Sequence, residues 1–246
     1  MNSFNDWQGK KVAFLGDSIT DKQRIGTQKV YWEFLQEAMG IEPYVYGRNG
    51  HQWSGVFTQA QTMAEEIGDD IDAISIFAGT NDFNASLPLG EWWEIVEEEV
   101  NNRCKVMVSP RRRLLMDGNT FRGRINIVMS FLKQRFPEQQ IFLMTPIHRG
   151  FATFGPTNIQ PEESFPNQIG LYVDQYIDVI KEAGNVWAVP VIDLNSLCGL
   201  YPLAESHGRY FSNSERDRLH PCTEGHRRMA MCVERVLYTL PPTFKH

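Results

Sequence analysis

The chain is poor in cysteine, and its charge shows no basic surplus. The four cysteines form no Cys-x-x-Cys pair and have no metal-ligand spacing, so we expect free thiols. With 24 Lys and Arg against 30 Asp and Glu, the formal net charge of −6 argues against a nucleic-acid partner. The cysteines are Cys104, Cys198, Cys222 and Cys232.

Long apolar runs are lacking as well. No stretch is long enough to span a bilayer, and residues 1–11 contain no apolar core of a signal peptide. These features predict a cytoplasmic protein, with the mature form of a secreted protein as the alternative. The remaining composition, 42% hydrophobic and 22% charged residues, is typical of a globular protein with a sizeable core. Because strand and helix patterns alternate without a break, we expect a single domain over residues 1–246.

Short apolar runs alternate along the chain with stretches of helical periodicity. Such an alternation predicts a parallel sheet that is covered by helices on both faces. The five predicted strands are residues 11–15, 43–46, 73–77, 140–144 and 188–194. The main predicted helices are residues 30–39, 55–67, 125–136, 171–183 and 224–240.

Two segments are longer than ordinary connections. Residues 84–123 contain a predicted acidic helix at 91–100 and the basic run 111–113, which we expect to be a solvated loop. Residues 148–168 are rich in proline, glycine and phenylalanine. Loops of this length are usually lids or mobile segments, and both follow strands of the sheet, so we expect them to wall a site. Their aromatic residues either stack on a sugar or acyl group or anchor the loops to the core: Trp92, Trp93, Phe151, Phe154 and Phe165.

A serine motif and a histidine motif stand near opposite ends of the chain. Gly16-Asp17-Ser18 ends the first predicted strand, and Asp217 lies three residues before His220. A serine nucleophile needs a base that removes its proton, and an imidazole base needs a carboxylate that orients it. Ser18 is therefore the candidate nucleophile, His220 the candidate base and Asp217 the candidate orienting group. We expect Asp17 to organise its loop by hydrogen bonds.

Two further motifs supply hydrogen-bond donors. Gly50 follows the second predicted strand, and Asn81 follows the third. Since the carboxyl ends of parallel strands meet at one edge of a sheet, we expect both residues beside Ser18. An oxyanion requires fixed donors, and the candidates are the backbone N–H groups of Ser18 and Gly50 and the side-chain amide of Asn81. Taken singly, each of these motifs is also typical of a turn or a helix cap.

In this order the four motifs resemble the sequence blocks of the SGNH (GDSL) hydrolase superfamily. The blocks are Gly16-Asp17-Ser18, Gly47-Arg48-Asn49-Gly50, Gly79-Thr80-Asn81-Asp82 and Asp217-Arg218-Leu219-His220. The resemblance spans residues 11–238, with Val45 standing where the glycine block of the family usually begins with asparagine. It implies a three-layer α/β/α sandwich around a flavodoxin-like, five-stranded parallel sheet. It also implies Ser18, Gly50, Asn81 and His220 as the four name-giving residues, and we expect neither a metal nor a cofactor.

These observations predict a serine esterase that acts on small acyl esters, such as acetyl groups on a carbohydrate. A lysophospholipase or thioesterase is the alternative within the same class, because the sequence does not show whether an apolar trough is present. The nucleophile elbow of the α/β-hydrolases, Gly-x-Ser-x-Gly, does not fit, since Thr20 occupies the position of its second glycine.

Two other classes of protein compete with this prediction. A metal-dependent phosphoesterase would use acidic residues near strand ends, where Asp17, Asp21, Asn81 and Asp82 stand. The sequence has neither an Asp-x-His opening motif nor a His-x-His motif, and the spacing of Asp17 and Asp21 suits that class poorly. A binding module without catalysis would need none of the serine, base and donor residues that are present.

Overall fold

The computed structural model describes residues 5–244. Residues 1–4, which belong to the segment considered for a signal peptide, and residues 245–246 of the predicted domain lie outside the described part. The strands are β1 (Lys11–Gly16), β2 (Glu42–Val45), β3 (Ala73–Phe77), β4 (Trp93–Asn102), β5 (Lys105–Leu114), β6 (Gln140–Met144), β7 (Ala152–Gly155), β8 (Asn158–Gln160), β9 (Val191–Ile192), β10 (Phe211–Asn213) and β11 (Asp217–Pro221). The helices are α1 (Tyr31–Met39), α2 (Trp53–Glu66), α3 (Thr80–Asn84), α4 (Phe121–Arg135), α5 (Val173–Trp187), α6 (Leu194–Leu197), α7 (Thr223–Leu237) and a 3-10 helix at Glu205–Tyr210.

The predicted parallel sheet is confirmed. Strands β2, β1, β3, β6 and β9 lie side by side in this order, and every neighbouring pair is parallel. β3 and β6 are buried along their whole length, which explains their unbroken apolar sequences. β9 is shorter than predicted, because it pairs with β6 only at Val191 and Ile192.

Two hydrophobic cores lie on the two faces of this sheet. On one face, Ala13 and Leu15 of β1 belong to the core that includes residues of α2, α4 and α5. On the other face, Val12 and Phe14 belong to the core that includes residues of α1 and α7. Since successive side chains of a strand point to opposite faces, one strand serves both cores, and the fold has three layers, α/β/α. In the described part of the chain, no helix is long and apolar enough to cross a bilayer.

A second sheet, which was not predicted, holds the histidine motif. It is antiparallel, and its strands lie in the order β10, β11, β7, β8. β11 contains both Asp217 and His220, and Asp217 pairs with Ala152 of β7. β7 and β8 form a hairpin inside the segment 148–168, which we expected to be a loop. These strands are short, and β11 joins the hairpin of β7 and β8 only through the distant pair of Asp217 with Ala152, which no local pattern indicates.

The predicted acidic helix at 91–100 is wrong. Most of these residues form β4, which pairs with β5 in a long antiparallel hairpin, here called the arm (residues 93–114). The two-residue turn at Arg103 and Cys104 has positive φ values of 52° and 66°, the backbone conformation of the turns that close tight hairpins. The glutamate-rich sequence suits a helix locally, but the chain reversal allows a cross-strand pairing that decides the structure.

The basic run 111–113 is part of this pairing and lies in β5 instead of in a loop, although its side chains are exposed. Arg111 and Arg113 donate hydrogen bonds to Glu98 at 2.6 and 2.9 Å. Such cross-strand pairs join the acidic stretch to the basic one, a relationship that helical periodicity does not reveal. The two strands of the arm contact each other far more than they contact any other element.

Because the arm packs mainly on itself, its removal should change the stability of the remaining protein little. Replacement of residues 95–112 by an Asn-Gly turn keeps the pair of Glu94 and Arg113 to close a shortened hairpin. We expect the free energy of unfolding to change by less than about 1 kcal/mol, as for other changes at the surface. Urea unfolding followed by tryptophan fluorescence measures this quantity, and a loss of several kcal/mol would show that the arm belongs to the cooperative core.

Candidate active site

Ser18 stands two residues beyond the end of β1, at the carboxyl edge of the parallel sheet. The backbone is tightly packed there, since a Cβ atom at Gly16 would overlap the carbonyl oxygen of Phe77 in β3. Gln59 of α2 accepts a hydrogen bond from the N–H of Gly16 and donates one to its carbonyl, both at 2.8 Å. These contacts hold the end of β1, so the turn that carries Ser18 starts from a fixed point.

Ser18, His220 and Asp217 form a continuous hydrogen-bonded chain. Oγ of Ser18 lies 2.9 Å from Nε2 of His220, and Nδ1 of His220 lies 2.9 Å from Oδ2 of Asp217. Since a carboxylate can only accept, the hydrogen of the imidazole belongs on Nδ1, and Nε2 is left to accept the hydroxyl hydrogen of Ser18. All three side chains are buried. An imidazole in this arrangement can take a proton from the serine while the carboxylate stabilises the resulting positive charge.

Asp217 carries a negative charge in spite of its burial. Burial by itself raises the pKa of this carboxyl, but the hydrogen bond and positive charge of His220 and the N–H groups of His220 and Leu219 together lower the pKa below its ordinary value. The two backbone N–H groups donate to Oδ1 at 3.0 and 3.1 Å. A carboxylate therefore faces the imidazole at neutral pH.

Gly50 and Asn81 line the same pocket as Ser18. The φ of Gly50 is +77°, which favours glycine, and Asp21 fixes this loop by accepting the preceding N–H at 2.7 Å. Nδ2 of Asn81 donates to the carbonyl oxygen of His51 at 3.0 Å. That bond uses one of the two amide hydrogens and leaves the second for a ligand. The three groups that we considered as oxyanion donors thus lie around one pocket.

The pocket beside Ser18 has a volume of about 460 Å³, within the size range of small-molecule sites. Amide side chains dominate its wall, and Phe154 supplies its aromatic surface. Such a wall offers many hydrogen-bonding groups to a ligand, beside apolar surface from residues such as Ile25, Phe154 and Leu219. The amide residues are Asn49, Gln52, Asn81, Asn84, Asn158 and Gln160.

The two long segments contribute unequally to this pocket. Segment 148–168 supplies three of its lining residues, Phe154 among them, whereas segment 84–123 supplies only Asn84 and Ala85, which precede the arm. Both tryptophans of segment 84–123 pack in the core on one face of the sheet. The expectation that both segments wall the site is therefore wrong for the arm.

The acidic residues near the strand ends do not form a metal site. Asp82 accepts the N–H of Trp53 at 3.1 and 3.3 Å and pairs with Arg124 at 3.1 Å. Asp21 accepts two backbone N–H groups at 2.7 and 2.8 Å. Within residues 5–244, no three His, Cys, Asp or Glu side chains are grouped so that they could hold a metal ion. This donor set does not fit the two-metal site of a phosphoesterase.

Sequence reasoning missed two side chains that support the site. Gln59, besides holding β1, contacts Nδ1 of His51 at 2.9 Å and so links the loop of Gly50 to the sheet. Arg149 is only 1% exposed and donates to Thr80 and to Gln160. A glutamine on the buried face of a helix is a signal that could have identified Gln59, because buried polar side chains are rare. No sequence signal marks Arg149.

Asp17 lies next to Ser18, and its two carboxyl oxygens differ. Oδ1 accepts the N–H of Ile19 at 3.0 Å, whereas Oδ2 has no hydrogen-bond partner within the described residues. Burial raises the pKa of this carboxyl to about 7, although the N–H of Ile19 and the charge of His220 act in the opposite direction. The charged form of Asp17 is thus poorly compensated in the folded protein.

The chain belongs to the GDSL-like lipase/acylhydrolase family, whose family model matches residues 14–228. It is therefore an enzyme of the class that hydrolyses ester bonds. No curated protein matches the chain.

Solved structures share its fold. A protein from Lactobacillus plantarum is 23% identical with a TM-score of 0.72, covering 94% of this chain and 98% of its own. A possible lipase from Chitinophaga pinensis DSM 2588 is 20% identical with a TM-score of 0.67, covering 93% and 98%. The acetyl xylan esterase AlAXEase is 20% identical with a TM-score of 0.58, covering 92% and 99%. At these identities the likeness shows the fold alone.

The raised pKa of Asp17 makes a prediction about stability. Because folding raises this pKa to about 7, ionisation of the carboxyl destabilises the folded state increasingly as the pH rises from about 4 to about 7. Asp17→Asn keeps the shape of the side chain and cannot ionise. Its stability relative to the wild type should therefore rise by roughly 3 kcal/mol between about pH 5 and about pH 8, since this window covers about two pKa units at about 1.4 kcal/mol each.

Urea unfolding of both proteins at the two pH values measures this difference. Buried titratable groups that do not interact with Asp17, such as Asp82, are common to both proteins and cancel in the comparison. A difference in stability that stays constant with pH would contradict the raised pKa.

Proposed function

We propose that this protein is a serine esterase that removes short acyl groups, acetyl above all, from a polar alcohol such as a carbohydrate. The observation that carries the proposal is the hydrogen-bonded chain from Ser18 through His220 to Asp217 beside an amide-lined pocket. We treat residues 1–246 as a single hydrolase domain, because the cores on both faces share one sheet.

Each residue of the candidate triad has a defined role in the proposed reaction. Oγ of Ser18 attacks the carbonyl carbon of the ester, and its proton passes to Nε2 of His220 while Asp217 stabilises the imidazolium. When the tetrahedral intermediate collapses, the bond to the alcohol oxygen breaks, His220 returns the proton to that oxygen, and the acyl group stays on Ser18. Water attacks this second ester in the same way and releases the carboxylic acid.

The negative charge that develops on the carbonyl oxygen needs fixed donors. We assign this role to the backbone N–H groups of Ser18 and Gly50 and to the amide of Asn81, which line one pocket. The bond from Asn81 to the carbonyl of His51 holds the amide in place before a substrate arrives, so little reorganisation is needed during the reaction.

The polar wall of the pocket supports a polar substrate. Hydroxyl groups of a carbohydrate can pair with the amide side chains, whereas a long acyl chain would leave these amides without partners. The acetyl xylan esterase AlAXEase has the same fold, which supports an acetylated carbohydrate by analogy. A lysophospholipase or thioesterase would need an apolar trough, and in this pocket the amide residues outnumber the apolar ones, which are Ile25, Ala85, Phe154 and Leu219.

The triad assignment predicts non-additive losses of activity. Ser18→Ala and His220→Ala should each lower kcat for p-nitrophenyl acetate by roughly 10³-fold or more, and the double variant should be little worse, because the residues act as a unit. Asp217→Asn should cause a smaller but still large loss through the wrong tautomer of His220. Steady-state kinetics test this, with circular dichroism to verify folding.

Losses that multiply in the double variant would argue that Ser18 and His220 do not share a step. A fluorophosphonate probe supplies an independent control, since it should modify the wild-type peptide that contains Ser18. Undiminished labelling of Ser18→Ala would remove Ser18 from the mechanism.

Acyl length should separate a short-chain esterase from a lipase-like enzyme. We expect kcat/KM for p-nitrophenyl esters to fall from acetate to octanoate, because added methylenes meet a wall in which amide side chains outnumber apolar ones. An apolar trough would gain roughly 0.8 kcal/mol, about fourfold, for each buried methylene. A steady rise towards octanoate would therefore replace the proposed function by that of a lysophospholipase or thioesterase.

A further inference from the structure

The proposed reaction fixes the side of Ser18 on which the leaving alcohol must lie. His220 returns its proton to the alcohol oxygen, so that oxygen must come within hydrogen-bond distance of Nε2. The alcohol therefore lies on the imidazole side of Ser18, and the acyl oxygen lies towards Gly50 and Asn81. Any subsite for the alcohol is to be sought in the wall that borders the ring of His220.

Phe154 of β7 forms that wall. Its ring centroid lies 5.4 Å from the ring centroid of His220, and the two ring planes are inclined by 55°. The side chain is still 45% exposed and lines the pocket. An aromatic side chain that is partly exposed in an otherwise amide-rich pocket offers a flat apolar surface, which suits the apolar C–H face of a sugar ring.

The position of β7 is set by the strand that carries His220. Asp217 pairs with Ala152, the N–H of Arg218 donates to the carbonyl of Phe151 at 2.9 Å, and the N–H of Thr153 donates to the carbonyl of Arg216 at 2.7 Å. Phe154 is the next residue along β7. Its place over the imidazole therefore follows from the strand pairing and not from a free loop.

The other strand of the same hairpin supplies polar groups. Nε2 of Gln160 donates to Oδ1 of Asn158 at 3.3 Å, and Oε1 of Gln160 accepts from Arg149 at 2.9 Å. Because these bonds occupy the amide oxygens of both residues, the NH2 group of Asn158 is left to donate to a hydroxyl of the ligand. Both residues line the pocket together with Phe154.

Arg149 ties this hairpin to the opposite wall. Its side chain is buried, and its guanidinium carbon Cζ lies 5.0 Å from the ring centroid of Phe83. The guanidinium donates to the hydroxyl and the carbonyl of Thr80 at 3.3 and 3.4 Å. Thr80 directly precedes Asn81. A single side chain thus holds the hairpin at a fixed distance from the candidate oxyanion donor.

We propose that the β7–β8 hairpin forms a subsite for the sugar ring of the alcohol, with Phe154 as the stacking platform and Asn158 as a hydroxyl-binding residue. The proposal rests on the proposed esterase function and adds the residues that select the alcohol. It predicts that Phe154 matters for esters of pyranosides far more than for esters of small alcohols.

The test compares two acetates that differ only in the alcohol, ethyl acetate and a monoacetylated methyl pyranoside. Phe154→Ala should lower kcat/KM for the pyranoside ester by roughly 10- to 100-fold, mainly through KM, and that for ethyl acetate by no more than about threefold. Phe154→Trp, which keeps an aromatic surface at this position, should retain the preference for the pyranoside ester that Phe154→Ala loses. Phe165→Ala is the matched control, because Phe165 lies in the same segment, is 56% exposed and is no lining residue of the pocket, so neither substrate should be affected.

Three outcomes would overturn the subsite. An equal loss on both esters would show that Phe154 acts on His220 instead of on the alcohol. A wild-type preference for the pyranoside that persists in Phe154→Ala would place the sugar elsewhere and leave the proposed function intact. A wild type that hydrolyses ethyl acetate but no pyranoside ester would overturn the carbohydrate part of the proposed function together with the subsite.

Discussion

The hydrogen bond between Ser18 and His220 joins two residues that are 202 positions apart, and its 2.9 Å length depends on how the two sheets are held together. Ser18 extends from the parallel sheet, whereas His220 lies in the antiparallel one. Helices α1 and α7 hold the two sheets together. The N–H of Tyr31 in α1 donates to Nδ1 of His226 in α7 at 3.3 Å, and the two rings stack with their centroids 6.2 Å apart. Burial, together with the charge of His220, lowers the pKa of His226 to about 3, so this nitrogen stays an acceptor at neutral pH.

Burial and the partners of each carboxyl together set the charge of Asp17 and Asp217 near this hydrogen bond. Asp217 accepts three hydrogen bonds, two from backbone N–H groups and one from His220, and its pKa is lowered. Asp17 accepts one from Ile19, and burial raises its pKa to about 7. The imidazole therefore has one fully charged partner, which holds the hydrogen on Nδ1, and a second carboxyl whose charge grows with pH.

The parallel sheet could be predicted because its buried strands are unbroken apolar runs, and the motifs follow these strands at one edge. The arm could not, because the glutamate-rich stretch of β4 also suits a helix. The antiparallel sheet could not, because its two hairpins join only through the distant pair of Asp217 with Ala152. The same holds for Gln59 and Arg149, whose contacts are tertiary. All of the predicted site residues lie at this edge, with Ser18, Gly50, Asn81 and His220 lining one pocket and Asp217 and Asp17 beside it. Their catalytic roles stay predictions.

A pocket that is rich in amides rejects ligands that cannot form hydrogen bonds with them. An amide that loses its hydrogen-bond partner on binding costs about 1–3 kcal/mol, so a ligand without hydroxyls is rejected strongly. An apolar pocket, in contrast, distinguishes acyl chains that differ by one methylene only weakly. In the proposed subsite, this kind of selectivity acts on the alcohol in addition to any selection by acyl length. The candidate reacting groups belong to the sheet edge and to β11, whereas the proposed subsite for the alcohol belongs to β7 and β8. The proposed reaction and the proposed choice of alcohol thus depend on different elements, which are joined by the pairing of Asp217 with Ala152.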